Sequence, residues 1–485
     1  MRFRTLTVPL ALALLALAVL VAFSAGAAWG EQEPATAQAG QTVQAGQAPA
    51  VLRLSLTEAI RRALDEGTAA QLATERVGDA EARALEARSA LLPQISAGGQ
   101  LSNQTLNLAT FGLTLPGIPL VTPPFNVVDT HITVAMNIID LAAKRRYQAA
   151  QAGVRVSEED RRRTENEVAA AVASLYVSLG RSGARIDVIK ANVDLFQRLR
   201  QIALDQKNAG VGTRLDTTRA DVQLARQQQA LLVATNQLNL ARLALLRAIG
   251  ADLGADVVLT DDGTSAAPVP TLAEALAAAK QRRPELALLD QRLRTAALAI
   301  EAAQAERLPT VAAQAQGIES GNRVRDLDWS RSIGAVVNVP LFTGRRVEAH
   351  VIAARSQQQQ LLIQKKDTER QIEQDVRQAL LSWENAQSRV ELADQSVRLA
   401  EDELDQASDR FKAGVAPSIE VDNAQTSLAA ARDTRIDSLA DESQARYDLA
   451  RATGQIRSLI VPEGAPAGNP SNSNAMQNTR HDGGK

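Results

Sequence analysis

No cysteine occurs among the 485 residues, which excludes disulfides, thiolate metal sites and a lipidated N-terminal cysteine. Only His131, His350 and His481 carry imidazoles, and no HExxH, P-loop or GxSxG motif accompanies them, so an enzyme lacks its parts. No cofactor or metal is expected. Net charge is −2, which provides no basic surface for nucleic acid. Aromatics make up 3% of the chain against 45% hydrophobic residues, so a core has to be built from Ala, Leu and Val, which suits closely packed long helices.

Against these absences stands a duplication. Leu56-Thr57-Glu58-Ala59 returns as Leu272-Ala273-Glu274-Ala275, and Leu92-Pro93 returns at the same spacing as Leu308-Pro309. Ala209-Gly210-Val211 likewise returns as Ala413-Gly414-Val415, and Leu245 to Gly250 as Leu449 to Gly454. The expected order is a signal peptide over 1–27, a flexible leader over 28–53, a first repeat over 54–250, a linker or equatorial segment over 251–269, a second repeat over 270–460 and a disordered tail over 461–485. Export follows from Arg2 and Arg4, the apolar run Val8 to Phe23 and the small residues Ser24 to Ala27.

Each repeat begins with helix, broken near Gly67 or Pro284 and stopped by Pro93 or Pro309. Beyond each stop the period of the pattern falls to two, with strands expected over 94–109 and 128–140 in the first repeat and 309–319 and 329–341 in the second. Ile132, Val134, Met136 and Ile138 form the apolar side of the first return strand, and Ile333, Ala335, Val337 and Val339 form that of the second. In an exported chain these eight are read as lipid-facing. Four strands cannot close a barrel, so several copies must share one. Helical patterns of some 65 residues follow, about 100 Å long at 1.5 Å per residue, turning back at Gly210 and Gly414. Thr213 and Asp216 have capping-box spacing. Lys144, Arg145 and Arg146, with Arg345 and Arg346, lie just inside the strand ends, where they suit membrane-boundary phosphates. The apolar connection Thr110 to Leu120 is expected to fold over the sheet's outer end or lie against lipid.

The two-fold repeat, the segment Asn338-Val339-Pro340-Leu341-Phe342-Thr343-Gly344-Arg345-Arg346 and the turn Arg410-Phe411-Lys412-Ala413-Gly414-Val415 together resemble the TolC family of outer-membrane channel proteins. The resemblance covers nearly all of the chain after the leader. It implies a mainly α fold with transmembrane β, in which an internally duplicated long-helix tunnel hangs below a twelve-stranded barrel shared by a homotrimer. It further implies an exit duct of a tripartite efflux or type I secretion system, set in outer-membrane lipid and joined to a periplasmic adaptor and an inner-membrane transporter. On that resemblance Ala209, Gly210, Val211, Arg410, Ala413, Gly414 and Val415 are adaptor-contact tips, and Glu420 and Asp216 belong to an acidic periplasmic gate. Asn423 departs from the family's acidic pattern there, with Asp422 as a partial substitute, and Phe411 stands where the family often has a latching tyrosine. The rival expectation, a periplasmic coiled-coil tether without a pore, needs the rods but not the matched strand pairs.

Overall fold

The computed structural model describes residues 51–112, 116–117, 119–210, 212–261, 269–413, 415 and 417–459. The expected signal peptide, nearly all of the leader and the tail lie outside them. The first half contains β1 (Val51–Leu54), α1 (Leu56–Asp65), α2 (Thr68–Ser89), β2 (Gln94–Gln104), β3 (Phe125–Ile139), α3 (Leu141–Asn208) and α4 (Arg214–Ala248). The second half contains β4 (Asp256–Leu259), α5 (Leu272–Arg282), α6 (Pro284–Ala305), β5 (Thr310–Gly321), β6 (Asp328–Asn338), α7 (Arg346–Lys412) and α8 (Ser418–Ala452).

Local chemistry explains the boundaries. Ser55 accepts from the Glu58 N–H at the start of α1, and Thr271 with Glu274 forms a full capping box at the start of α5. Between α1 and α2 the chain turns so tightly at Gly67 that a Cβ there would lie 2.1 Å from the Ala63 carbonyl oxygen, and no other residue fits. Pro284 occupies the first turn of α6, where its missing N–H costs nothing. Helices α2 and α6 each run 22 residues, α4 and α8 each run 35, and α3 and α7 run 68 and 67. The last two are rods of about 100 Å. Among the described residues no helix is long and apolar enough to cross a membrane.

Four strands form one antiparallel sheet in the order β2-β3-β5-β6, so the sheet joins the two halves through its central β3–β5 pairing and leaves β2 and β6 as edges. Its register puts Ile95, Leu101, Ile132, Val134, Met136, Ile333, Ala335 and Val337 on one face, and Gln94, Ser96, Gln100, His131, Thr133, Gln316 and Ser332 on the other. Strand β2 stops at Gln104 rather than 109, because the chain then makes its own small hairpin: a 3-10 turn at Leu108–Phe111 closed by the bridge Asn107↔Val121. Strand β6 ends at Asn338 rather than 341. Ile138 is a correction, since the register shifts between Asn137 and Ile139 and Ile139, opposite Val311, continues the apolar face in its place.

Two alanine-rich cores repeat the duplication in space. Ala59, Ala63, Val172 and Leu245 lie in one, and their sequence counterparts Ala275, Ala279, Val376 and Leu449 in the other. The segment expected as a linker does more than connect. Its β4 pairs in parallel with β1, from Val51↔Asp256 to Leu54↔Leu259, so the last residues of the expected leader are strand instead.

Candidate functional site

Both helical hairpins end in tight turns, the first of them shaped by glycine. At the first, the Ala209 N–H donates to the Asp205 carbonyl at 2.9 Å and Gly210 takes a φ of +79°, a left-handed conformation costly for any residue with a Cβ. The Gly212 N–H then donates to the Gln206 carbonyl at 2.9 Å, and Val211 lies outside the described residues. At the second, the Ala413 N–H donates to Asp409 at 2.9 Å and the Val415 N–H to Arg410 at 3.0 Å. Val415 is exposed, and Gly414 lies outside the described residues.

The acids after the tips are placed differently from one another. Asp216 closes the capping box of α4, its carboxylate accepting from the Thr213 N–H at 3.1 Å and the Thr213 hydroxyl at 2.6 Å. Glu420, in the first turn of α8, has its carboxylate 3.2 Å from the Arg410 guanidinium, so a residue expected at the gate and one expected at the adaptor face are one ion pair. Both are well exposed, and such a pair contributes about 0 to 1 kcal/mol. Asp422 is the half-buried member. Burial pushes its carboxyl above the ordinary range and the charge of Asp216 pushes it the same way, while Arg219 opposes them. Asn423 is exposed, and the neighbouring Gln425 is buried with its side-chain oxygen unpartnered among the described residues. The two acids that sense each other are therefore Asp216 and Asp422.

At the other end, the basic residues expected at a lipid boundary mostly have protein partners. Arg145 reaches Glu301 at 3.1 Å, Arg146 reaches Glu306 at 2.8 Å and Arg345 reaches Glu348 at 3.1 Å. Glu306, the C-cap of α6, also accepts from His350 of α7 at 2.9 Å, so one carboxylate ties α3 and α7 together. Burial alone pushes Glu306 up, but the bonds from His350 and Arg146 bring it below the usual carboxylate value. Lys144 and Arg346 are exposed. Val339 lies just beyond the end of β6.

Sequence reasoning missed a latch at mid-height. Tyr176 of α3, 3% exposed, donates its hydroxyl to the Asp261 carboxylate just after β4. The Leu56 N–H donates to the same carboxylate at 3.3 Å, so β4, α1 and α3 converge on one group. Burial first, then the Asp261 carboxylate, raise the Tyr176 pKa. In the sequence Asp261 falls in the segment expected only as a linker or equatorial segment.

On the sheet's apolar face the Trp329 ring covers Gly317, where a Cβ would lie 2.1 Å from it. On the polar face the His131 ring covers Gly98 and its Nδ1 lies 3.1 Å from the Asp129 carboxylate. Along β3 the apolar face runs from Ile132 to Ile139, about 23 Å of strand at 3.3 Å per residue, and toward the outer end the same face carries Arg331, Thr130 and Glu319.

A duplicated subunit with an open, two-faced sheet at one end and paired rods at the other defines the class of outer-membrane channels with a helical periplasmic tunnel. The profile described as outer membrane efflux protein matches residues 59–251 and 275–455, and the chain belongs to that family. It is 24% identical over 405 residues to the pyoverdine export outer membrane protein OpmQ of Pseudomonas aeruginosa, covering 82% of this chain and 85% of that one. It is 26% identical over 325 residues to the outer membrane efflux protein BepC of Brucella suis, covering 60% and 69%. Its fold is similar to that of VceC from Vibrio cholerae (TM-score 0.70, 19% identity, 82% and 96% covered) and of the CmeC channel of Campylobacter jejuni (TM-score 0.72, 16% identity, 82% and 85% covered). The protein is an outer-membrane efflux channel with its helical body in the periplasm.

Proposed function

We propose that three copies form the duct of a tripartite efflux assembly, joined at the helical tips to a periplasmic adaptor and through it to an inner-membrane transporter. One observation carries this reading: a four-stranded sheet, largely apolar on one face and largely polar on the other, with both edges unpaired among the described residues, continuous with two rod hairpins. Three such sheets supply twelve strands, and closure removes every edge from lipid. The apolar face meets lipid and the polar face lines the bore. Ala209, Gly210, Val211, Arg410, Ala413, Gly414 and Val415 meet the adaptor, and the Asp216–Asp422 pair gives the periplasmic mouth its negative charge. Glu420, held by Arg410, contributes less than Asp422 does, and Asn423 contributes none.

Purified full-length protein in planar bilayers tests this. Heat-modifiable trimers with cation-preferring conductance are expected, and Asp422→Asn is expected to reduce the preference more than Glu420→Gln. A water-soluble monomer without conductance refutes the reading and favours the tether.

A further inference from the structure

On β3 the pairing with β5 runs farther toward the helices than the pairing with β2 does. Met136, Asn137 and Ile139 pair with Ala313, Ala312 and Val311, whereas β2 pairs with β3 only as far as Gln94↔Ala135. The second hairpin stops at Thr310↔Asn338. Because α2 and α6 have equal lengths and equal distances to the strands that follow, Thr310 is the counterpart of Gln94. Asn338 is therefore the counterpart of Ala135, and Val339, Pro340, Leu341 and Phe342 are the counterparts of Met136, Asn137, Ile138 and Ile139. Val339 to Phe342 lie beyond β6 and pair with no strand among the described residues. Leu341 and Phe342, 93% and 88% exposed, are the most exposed large apolar side chains among the described residues.

We propose that Val339–Phe342 is a continuation of β6 that forms only against β2 of a second copy, in the register of the β3–β5 pairing. This rests on the barrel reading above and specifies its seam. Carrying each pair across places Ala335 opposite Leu101, Val337 opposite Gly99 and Val339 opposite Ala97 of the second copy. Beyond a bulge at Leu341, Phe342 falls opposite Ile95, an edge residue that is itself 73% exposed. All of these lie on the apolar face, so the seam keeps the face continuous. Proline is tolerated at a strand edge or bulge, which is where Pro340 falls. Likeness of sequence alone sets Ile333 beside Ile132, but the hairpin registers make Ala335 the structural counterpart of Ile132. The two alignments differ by two residues and keep the same faces, so they can be told apart only by which residues pair.

The absence of cysteine makes the test direct. Within one chain β2 and β6 are separated by three strand spacings, about 14 Å, too far for a disulfide, so cross-links report contacts between copies. Full-length double variants, assembled in outer membranes, are oxidised and run on non-reducing gels. Val339→Cys with Ala97→Cys and Val337→Cys with Gly99→Cys are expected to give covalent oligomers at least about tenfold faster than Val337→Cys with Ala97→Cys. Faster linking in the last pair overturns the register while the assembly reading stands. Membrane-inserted protein that links in none of the three overturns both. Hydrogen exchange on the unmodified trimer supplies a second measurement. The Leu341 and Phe342 amides are expected to be protected like those of Ile138 and Ile139, and free exchange there overturns the proposed strand.

Discussion

Removing one hydroxyl at the mid-height latch isolates the contribution of tertiary structure there. Tyr176→Phe keeps the buried ring and deletes only the donor to Asp261. Hydrogen bonds to charged groups contribute about 1.5 to 3 kcal/mol; Asp261 itself is exposed, so the lower part of that range applies, about 1.5 to 2 kcal/mol. At 1.4 kcal/mol per factor of ten, opening of the β1–β4 pair becomes about 10 to 30 times more frequent. Hydrogen exchange in detergent reads this at the Thr260 amide, bonded to the Leu54 carbonyl at 3.0 Å, and across Val51–Leu54. Amides deep in α3, away from the latch, are expected to be unchanged. The raised Tyr176 pKa adds a pH signature. An unfolded tyrosine titrates near pH 10, so the latch contributes fully below that pH and loses its contribution as pH rises toward the higher folded value. Unchanged protection of β1 and β4 in Tyr176→Phe, with the protein still folded, refutes the latch.

Gly317→Val places a side chain where the Trp329 ring lies, and overpacking of this kind costs about 1 to 3 kcal/mol; the heat-resistant trimer is expected to dissociate at lower temperature, with Trp329 fluorescence altered and Gly317→Ala intermediate. Asp422 has a raised pKa, so on acidification its carboxyl is neutralised above the ordinary aspartate value; under its proposed role at the mouth, conductance is expected to fall on acidification in the parent and much less in Asp422→Asn. A conductance–pH curve identical in the two proteins counts against that role. Glu306→Gln removes the charge that joins Arg146 and His350, and is expected to cost about 1 to 2 kcal/mol, read as faster proteolysis at the junction of sheet and rods. Because the Glu306 pKa is lowered, that contribution is present above the ordinary glutamate value and is lost as pH falls through the folded one.

Much of the fold could be read from local pattern. Pro93 and Pro309 stop helices, Gly67 and Pro284 divide them, and the alternation through Ile132 and Ile333 separates two faces, because each depends on residues a few positions apart. The capping box of Thr213 and Asp216 is local in the same way. The proposed gate region was harder to read. The family resemblance picks out Glu420 and Asp216 alike, but only packing shows Glu420 turned toward Arg410 and Asp422 set near Asp216. Arg145 and Arg146 look like lipid-boundary charges until α6 and its C-cap bring Glu301 and Glu306 to them.

The amino-acid sequence by itself determined the duplication, the rods, the two-faced strands and the export-compatible, cysteine-free chemistry, since periodicity and composition depend on neighbours along the chain. The tertiary structure alone decided that β1 pairs with β4 some 200 residues away, that Tyr176 meets Asp261, and that the two hairpins stand two residues out of step with their apparent sequence match. A two-residue slip leaves every side chain on the same face. Hydrophobic pattern is therefore blind to it, and only the backbone hydrogen bonds between strands distinguish the registers.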